Sequence, residues 1–265
     1  MKKYTVLMID LKKSKAYSLK DRNFLQNQIM DIIKALNDIF HTSTEKKVEF
    51  SAGDEIQGLF SSSAAAYLYL RIFSMLIFPV KIHAGIGVGE WTVVMNNAST
   101  TAQDGSAYHN AREAINSARN SLEYSRLFFS KAKDDFIINS LLAAELLVSS
   151  KQSVYQNELM LVSEILYPLT KENIIDSKKI PNLLKFINHE NLLHLQKNIK
   201  NKFLSKPIEI DNEEFFITIG KKRGLSTQLS EYLGISRQSV EKTIKTASIY
   251  ELRNMAVTIL KTMKI

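Results

Sequence analysis

The segment Ser51-Ala52-Gly53-Asp54-Glu55 constrains the chain more than any other. It separates two short runs, Val48-Glu49-Phe50 and Ile56-Gln57-Gly58-Leu59-Phe60. Two such runs around a Gly-Asp turn predict a β-hairpin, with glycine supplying the turn conformation. The flanking pattern then limits the fold. Thr5 to Ile9 is an apolar run that ends at Asp10, which predicts a buried strand. Between Asp21 and Phe40, apolar residues recur every three or four positions, which predicts an amphipathic helix. Ala64 to Phe78 is a largely apolar helix stopped before Pro79. Val80 to Val88 alternates as a strand, with Trp91 to Met95 expected as its hairpin partner. Strand, helix, strand, strand, helix, strand is the split βαβ or ferredoxin-like order, so an α+β fold is expected.

A polar loop follows (Asn96 to Gly105), then a helix from Ser106 to Ser121 and a last strand at Arg126 to Phe129. Helical patterning resumes from Asp134 to Tyr167, is broken by Pro168 and Pro181, and is expected again over 182–204. The expected domains are an α+β domain over 1–150, a helical connector over 151–205 and an all-α domain over 206–265.

Composition excludes several functions. The chain has no cysteine, hence no disulfide, thiolate metal site or cysteine nucleophile. No HExxH motif, P-loop or usable Ser/His/Asp set stands out. Its apolar runs are short of a bilayer span, and Asp10 interrupts the only N-terminal run, so neither a membrane segment nor a signal peptide is expected. A cytoplasmic location is the expectation. The net charge is +8 and is unevenly placed. Residues 1–170 carry 18 basic and 17 acidic side chains, and residues 171–265 carry 17 and 10. The excess thus lies in the last third, where it attracts polyanions.

Chemistry-bearing residues gather in two places. In a ferredoxin-like sheet the first and third strands are antiparallel neighbours, which brings Asp10 to the same edge as Asp54 and Glu55. Paired carboxylates there suit Mg²⁺ or Mn²⁺, hard cations that also bind nucleotide phosphates, and two such ions can clamp a phosphoryl transfer. Gly53 would let backbone approach a phosphate closely. Lys12, Lys13, Ser14 and Lys15 offer ammonium, hydroxyl and backbone donors to a nucleoside triphosphate. Taken singly, each of the acidic positions reads more readily as plain turn chemistry, and it is their combination within this strand order that points to a site. His83 reads as packed in its strand and His109 as an exposed helical residue.

Ser51 to Phe60 resembles the GGDEF hairpin of diguanylate cyclases and the Gly-Asp hairpin of class III nucleotide cyclases. Ile82-His83-Ala84-Gly85-Ile86-Gly87-Val88-Gly89-Glu90 resembles the following strand of the latter. A closer resemblance is to the SatD family, which carries Gly-Asp-Glu-x-Gln-Gly-Leu, Gly-Ile-Gly-x-Gly-Glu and Asp-Gly-x-Ala-Tyr-x-x-Ala-Arg-x-Ala. All three occur here, the last as Asp104 to Ala114. The resemblance implies a nucleotide-cyclase-like palm with Asp10 as a metal-binding residue. It places Arg112 as the catalytic arginine that steadies developing phosphate charge. Tyr108 stands where those cyclases carry an asparagine, and Val48, beside Lys46 and Lys47, stands where they carry the base-selecting lysine.

The second place is Leu225 to Lys245. Leu229, Tyr232 and Leu233 form one apolar helix face behind a Ser226 cap, Gly234 makes a turn, and Ser236 caps a helix whose Val240 and Ile244 face inward. This predicts a DNA-binding helix-turn-helix. Arg237 and Gln238 would read base edges, while Ser236, Ser239, Lys242 and Lys245 would hold phosphates. Lys221, Lys222 and Arg223 would add backbone contacts. Such units often bind double-stranded DNA as homodimers, though no dimerisation seam is visible. Three readings stand: a DNA-binding regulator with a metal-nucleotide palm, a working Mg/Mn-dependent nucleotide cyclase or nucleotidyltransferase, and a non-catalytic protein-interaction module.

Overall fold

A computed structural model describes residues 2–12, 18–187, 204–210 and 222–263. The chain divides into two compact units, Met1–Ala143 with Thr262–Ile265, and Ala144–Lys261.

The first unit is built on a five-stranded sheet. Its strands are β1 (Tyr4–Leu11), β2 (Thr44–Ala52), β3 (Glu55–Phe60), β4 (Ile82–Gly89) and β5 (Arg126–Phe129), in the order β2-β3-β1-β4-β5. β1 runs antiparallel to both β3 and β4, β2 antiparallel to β3, and β5 parallel to β4. Helices α1 (Leu19–Ile39), α2 (Ser63–Leu76) and α3 (Ser106–Asn120) complete it. The strand and helix order therefore follows the sequence expectation through β4. Helix α1 starts earlier than its apolar pattern, because the Ser18 side chain accepts from Asp21 N and caps it. The hairpin turns at Gly53, whose φ of +63° only glycine adopts without strain.

Alternation sorts the strands by face. Phe60 of β3 meets Tyr69 of α2, which also contacts Phe40. On the other face, Val6, Met8 and Leu59 pack with Ala107, Tyr108, Ala111 and Ile115 of α3. Helix α3 approaches β4 very closely. A Cβ on Gly85 would lie 2.4 Å from Ile115 N, one on Gly87 2.0 Å from Ala111 N, and one on Gly89 2.5 Å from Ala107 N. Three glycines at period two thus form a side-chain-free track into which the alanines of α3 settle.

The segment Trp91 to Met95 does not pair with β4 as expected. Both edges of β4 are taken, by β1 and β5. The segment instead forms a single bridge, Val93 to Asp104. Trp91 Nε1 and Met95 N donate to Gln103 Oε1 at 3.1 and 2.9 Å. Lys46 Nζ donates to the carbonyls of Met95, Asn96 and Ala98 at 2.7, 2.9 and 3.1 Å, so this lysine anchors a loop.

The helical pattern over Asp134–Tyr167 resolves into α4 (Asp135–Ser149) and α5 (Val154–Leu166), the latter opened by a Ser153/Gln156 capping box. In the second unit, β6 (Leu169–Thr170) and β7 (Ile208–Glu209) form a short parallel pair. Ile180–Phe186 is a 3-10 helix, and the rest of the helix expected over 182–204 falls almost wholly outside the described residues. Helices α6 (Leu225–Leu233), α7 (Arg237–Thr246) and α8 (Ile249–Thr262) close the unit. Arg253 of α8 is fully buried and pairs with Glu164 at 2.8 Å, while its Nη2 donates to Tyr167 O at 2.7 Å. A buried guanidinium is tolerable only with such a partner.

Candidate functional site

Strand register builds the first site. Asp10 lies directly opposite Glu55 on β3 and His83 on β4. All three fall on the sheet face that α3 covers. Arg112 and Arg119 stand seven residues apart on α3, two turns along one side, and both reach this corner. Arg112 grips Glu55 in a fork, with Nη1 donating to Oε2 at 2.6 Å and Nη2 to Oε1 at 2.7 Å. Arg119 Nε donates to Asp10 Oδ2 at 3.0 Å, and its Nη2 to Glu55 Oε2 at 3.1 Å. The Ser51 hydroxyl donates to Glu55 Oε1 at 3.2 Å.

The electrostatics follow from these contacts. Burial would raise the Glu55 carboxyl, but Arg112, Arg119 and Ser51 outweigh it and hold the group below its ordinary range. Burial opposes charge on Arg119 too, and its hydrogen bonds and attraction to Asp10 and Glu55 more than compensate. His83 is pushed down by burial and by the positive charges of Lys12 and Arg119, with only Asp10 opposing. Lys12 is itself lowered by burial and by Lys81 and Arg126. The corner already holds its own countercharges.

The sequence singles out Asp10, Glu55 and Arg112, and the structure brings them together. Asp54 sits with Gly53 in the turn and makes no hydrogen bond or ion pair among the described residues. Lys12 directly follows β1, its N donating to Lys81 O at 2.9 Å. Lys13, Ser14 and Lys15 lie outside the described residues. Arg119 was not singled out, although its spacing from Arg112 places it on the same helix face. Val48 is buried against Gly58.

A divalent cation fits this arrangement poorly. Both oxygens of Glu55 and one of Asp10 already accept from guanidiniums, and two positive side chains balance the two carboxylates. Among the described residues no group of three or more His, Cys, Asp or Glu is placed to hold a metal ion.

A second candidate site lies on α7. Gly234, at φ +63°, ends α6 and turns the chain. Ser236 caps α7 by accepting from Ser239 N at 3.2 Å. Val240 and Ile244 are buried, and Arg237, Gln238, Ser239, Lys242 and Lys245 are all exposed. Helix α6 begins at Leu225 behind Gly224, at φ +84°, and not behind Ser226. The Ser226 hydroxyl instead donates to Glu241 at 3.2 Å. Glu241 also accepts from Arg237 Nε at 2.7 Å, so an acidic residue absent from the expected set holds one expected reader. Lys222 and Arg223 are described, and Lys221 is not. Gln152 Nε2 bonds Ala247 O at 2.8 Å and Tyr167 Oη bonds Gln228 at 2.7 Å, tying these helices to α5 and its flanks.

A family model described as "SatD family" matches residues 4–201. The chain belongs to the SatD family. No curated protein matches this SatD family member. A solved structure titled "Structure of a bacterial light-regulated adenylyl cyclase" is similar at 14% identity and a TM-score of 0.35, covering 48% of this chain and 74% of that one. A likeness that slight carries no argument about fold or activity. Among the described residues of the SatD chain, no helix is long and apolar enough to cross a membrane.

Proposed function

We propose that this SatD family member is a cytoplasmic DNA-binding regulator whose N-terminal domain binds a nucleotide. The strand order β2-β3-β1-β4, with every neighbouring pair antiparallel, supports reading that domain as a ferredoxin-like, nucleotide-cyclase-like palm. The Gly234 turn and the capped α7 support a helix-turn-helix in the second unit. One observation carries the DNA reading. Helix α7 buries Val240 and Ile244 and leaves Arg237, Gln238, Ser239, Lys242 and Lys245 exposed. That division suits a helix seated in a groove, with long polar side chains on phosphates and base edges.

Fluorescence anisotropy with labelled duplex DNA at two salt concentrations tests it. Binding should weaken steeply with salt, and replacing Lys242 and Lys245 together by alanine should lower the log–log salt slope by about two. Absence of binding at low salt, or an unchanged slope in the double variant, removes the reading. For the palm, a thermal shift with each of four nucleoside triphosphates should show stabilisation by mass action.

A further inference from the structure

We infer that the Asp10/Glu55 corner receives the phosphates of its ligand directly on Arg112 and Arg119, without a divalent cation. The inference rests on the reading that the palm binds a nucleotide, and names how that site holds it.

Three observations carry it. First, the carboxylates are committed. Glu55 Oε1 accepts from Arg112 and Ser51, Glu55 Oε2 from Arg112 and Arg119, and Asp10 Oδ2 from Arg119. A cation seated between Asp10 and Glu55 would have to displace several of these charge-assisted bonds at once, only Asp10 Oδ1 being left out of them. Second, the geometry of Arg119 mimics a bridging ion. It spans Asp10 Oδ2 at 3.0 Å and Glu55 Oε2 at 3.1 Å. The carboxylates thereby become supports that fix two guanidiniums side by side, since both touch the same Glu55 oxygen.

Third, the guanidiniums keep unused donors. Each has five N–H groups. Arg112 spends two of them on Glu55, and its side chain is 43% exposed. Arg119 spends three, on Asp10, Asn116 and Glu55, and its side chain is 32% exposed. Adjacent guanidinium forks with free outer N–H groups match the planar, multi-oxygen geometry of a phosphate. With Glu55 and Asp10 already paired, the unused N–H groups of Arg112 and Arg119 are what the corner offers a ligand, and N–H donors on cations suit an anion.

The full-length protein and the fluorescent probes mant-ATP and mant-GTP test this. Anisotropy titrations are run in excess EDTA and again with Mn²⁺. Affinity in EDTA should lie within about threefold of that in Mn²⁺. Inorganic triphosphate should displace the probe in EDTA. Arg112→Gln and Arg119→Gln should each weaken probe binding by about tenfold, or about 1.4 kcal/mol, with folding checked by melting temperature. Tightening of tenfold or more by Mn²⁺ overturns the inference and leaves the nucleotide reading standing. So does stoichiometric Mn²⁺ binding to the wild-type protein alone, read by electron paramagnetic resonance. Failure of inorganic triphosphate to compete also overturns it. Binding of neither probe in either buffer overturns the nucleotide reading and the inference together.

Discussion

Replacing Gly87 by alanine should damage the first unit more than any other single added methyl in β4. The new Cβ would stand 2.0 Å from Ala111 N and 2.5 Å from Ala107 O, where ordinary contact begins at 3.4 Å. The first shortfall is about 1.4 Å, and both clashing atoms are helix backbone, which cannot rotate aside. Relief requires lifting α3 from the sheet. Overpacking of this kind costs about 1–3 kcal/mol where side chains can adjust, and here none can. The lift also stretches the Arg112 bonds to Glu55, now 2.6 and 2.7 Å, beyond useful length. A loss of about 3 kcal/mol is expected, a fall in Tm of about 6–12 °C for a unit of this size. Gly58→Ala is the matched control. Its Cβ would meet Val48 Cγ2 at 2.5 Å but backbone no nearer than Val48 Cα at 3.1 Å, so its cost should be smaller. Urea denaturation of the two variants decides the matter. If Gly87→Ala matched wild type within about 0.5 kcal/mol, or proved more stable than Gly58→Ala, the close-approach argument would be refuted.

Three further outcomes follow from the same geometry. Glu55→Gln removes the negative charge from beneath Arg112 and Arg119 and should destabilise the protein by about 1.5–3 kcal/mol; a neutral result in urea denaturation would show the fork to be ornamental. Stability should fall on the acid side in two stages, because both shifted groups bind protons more weakly when folded. His83, lowered from 6.5, costs stability as pH drops below 6.5, and Glu55, lowered from 4.5, does so below 4.5. In His83→Gln the Tm-versus-pH slope between 6.5 and 4.5 should flatten, and an unaltered slope would remove His83 from the account. Glu241→Ala frees Arg237 and deletes a negative charge from the exposed side of α7. Its affinity for duplex DNA should rise by about threefold to tenfold at low salt, and a fall would mean that the Arg237–Glu241 pair orients the helix for binding.

Much of this was legible in the sequence, for reasons that differ between elements. β1, the hairpin and α2 show in local pattern alone, because strand alternation and helix period follow from which face is buried. The opposition of Asp10 and Glu55 was accessible once the strand order was assumed, since antiparallel neighbours fix where strand ends meet. The role of Arg119 does not show in the sequence, because an arginine in the last turn of a helix ordinarily complements the helix dipole. Only the depth at which α3 sits on Gly85, Gly87 and Gly89 carries its guanidinium to the sheet corner. The place of Trp91 to Met95 is not legible in the sequence, because alternation cannot reveal that both edges of β4 are occupied, one of them by a strand that begins at Arg126. The Arg237–Glu241 pair, by contrast, is legible in the i, i+4 spacing of the two residues.

The corner joins residues remote along the chain. Arg119 lies 109 positions from Asp10 and 64 from Glu55. Contacts of such separation carry a large closure entropy and form only after the sheet and α3 are assembled. The ion-paired corner is therefore expected late on the folding path, after the rate-limiting step. Loss of Arg119 should speed unfolding and leave the refolding rate almost untouched. A chain that has collapsed without docking α3 would hold Glu55 without its arginines. Phosphate capture would thus report completed folding, and a bound nucleotide would lengthen the lifetime of the finished molecule.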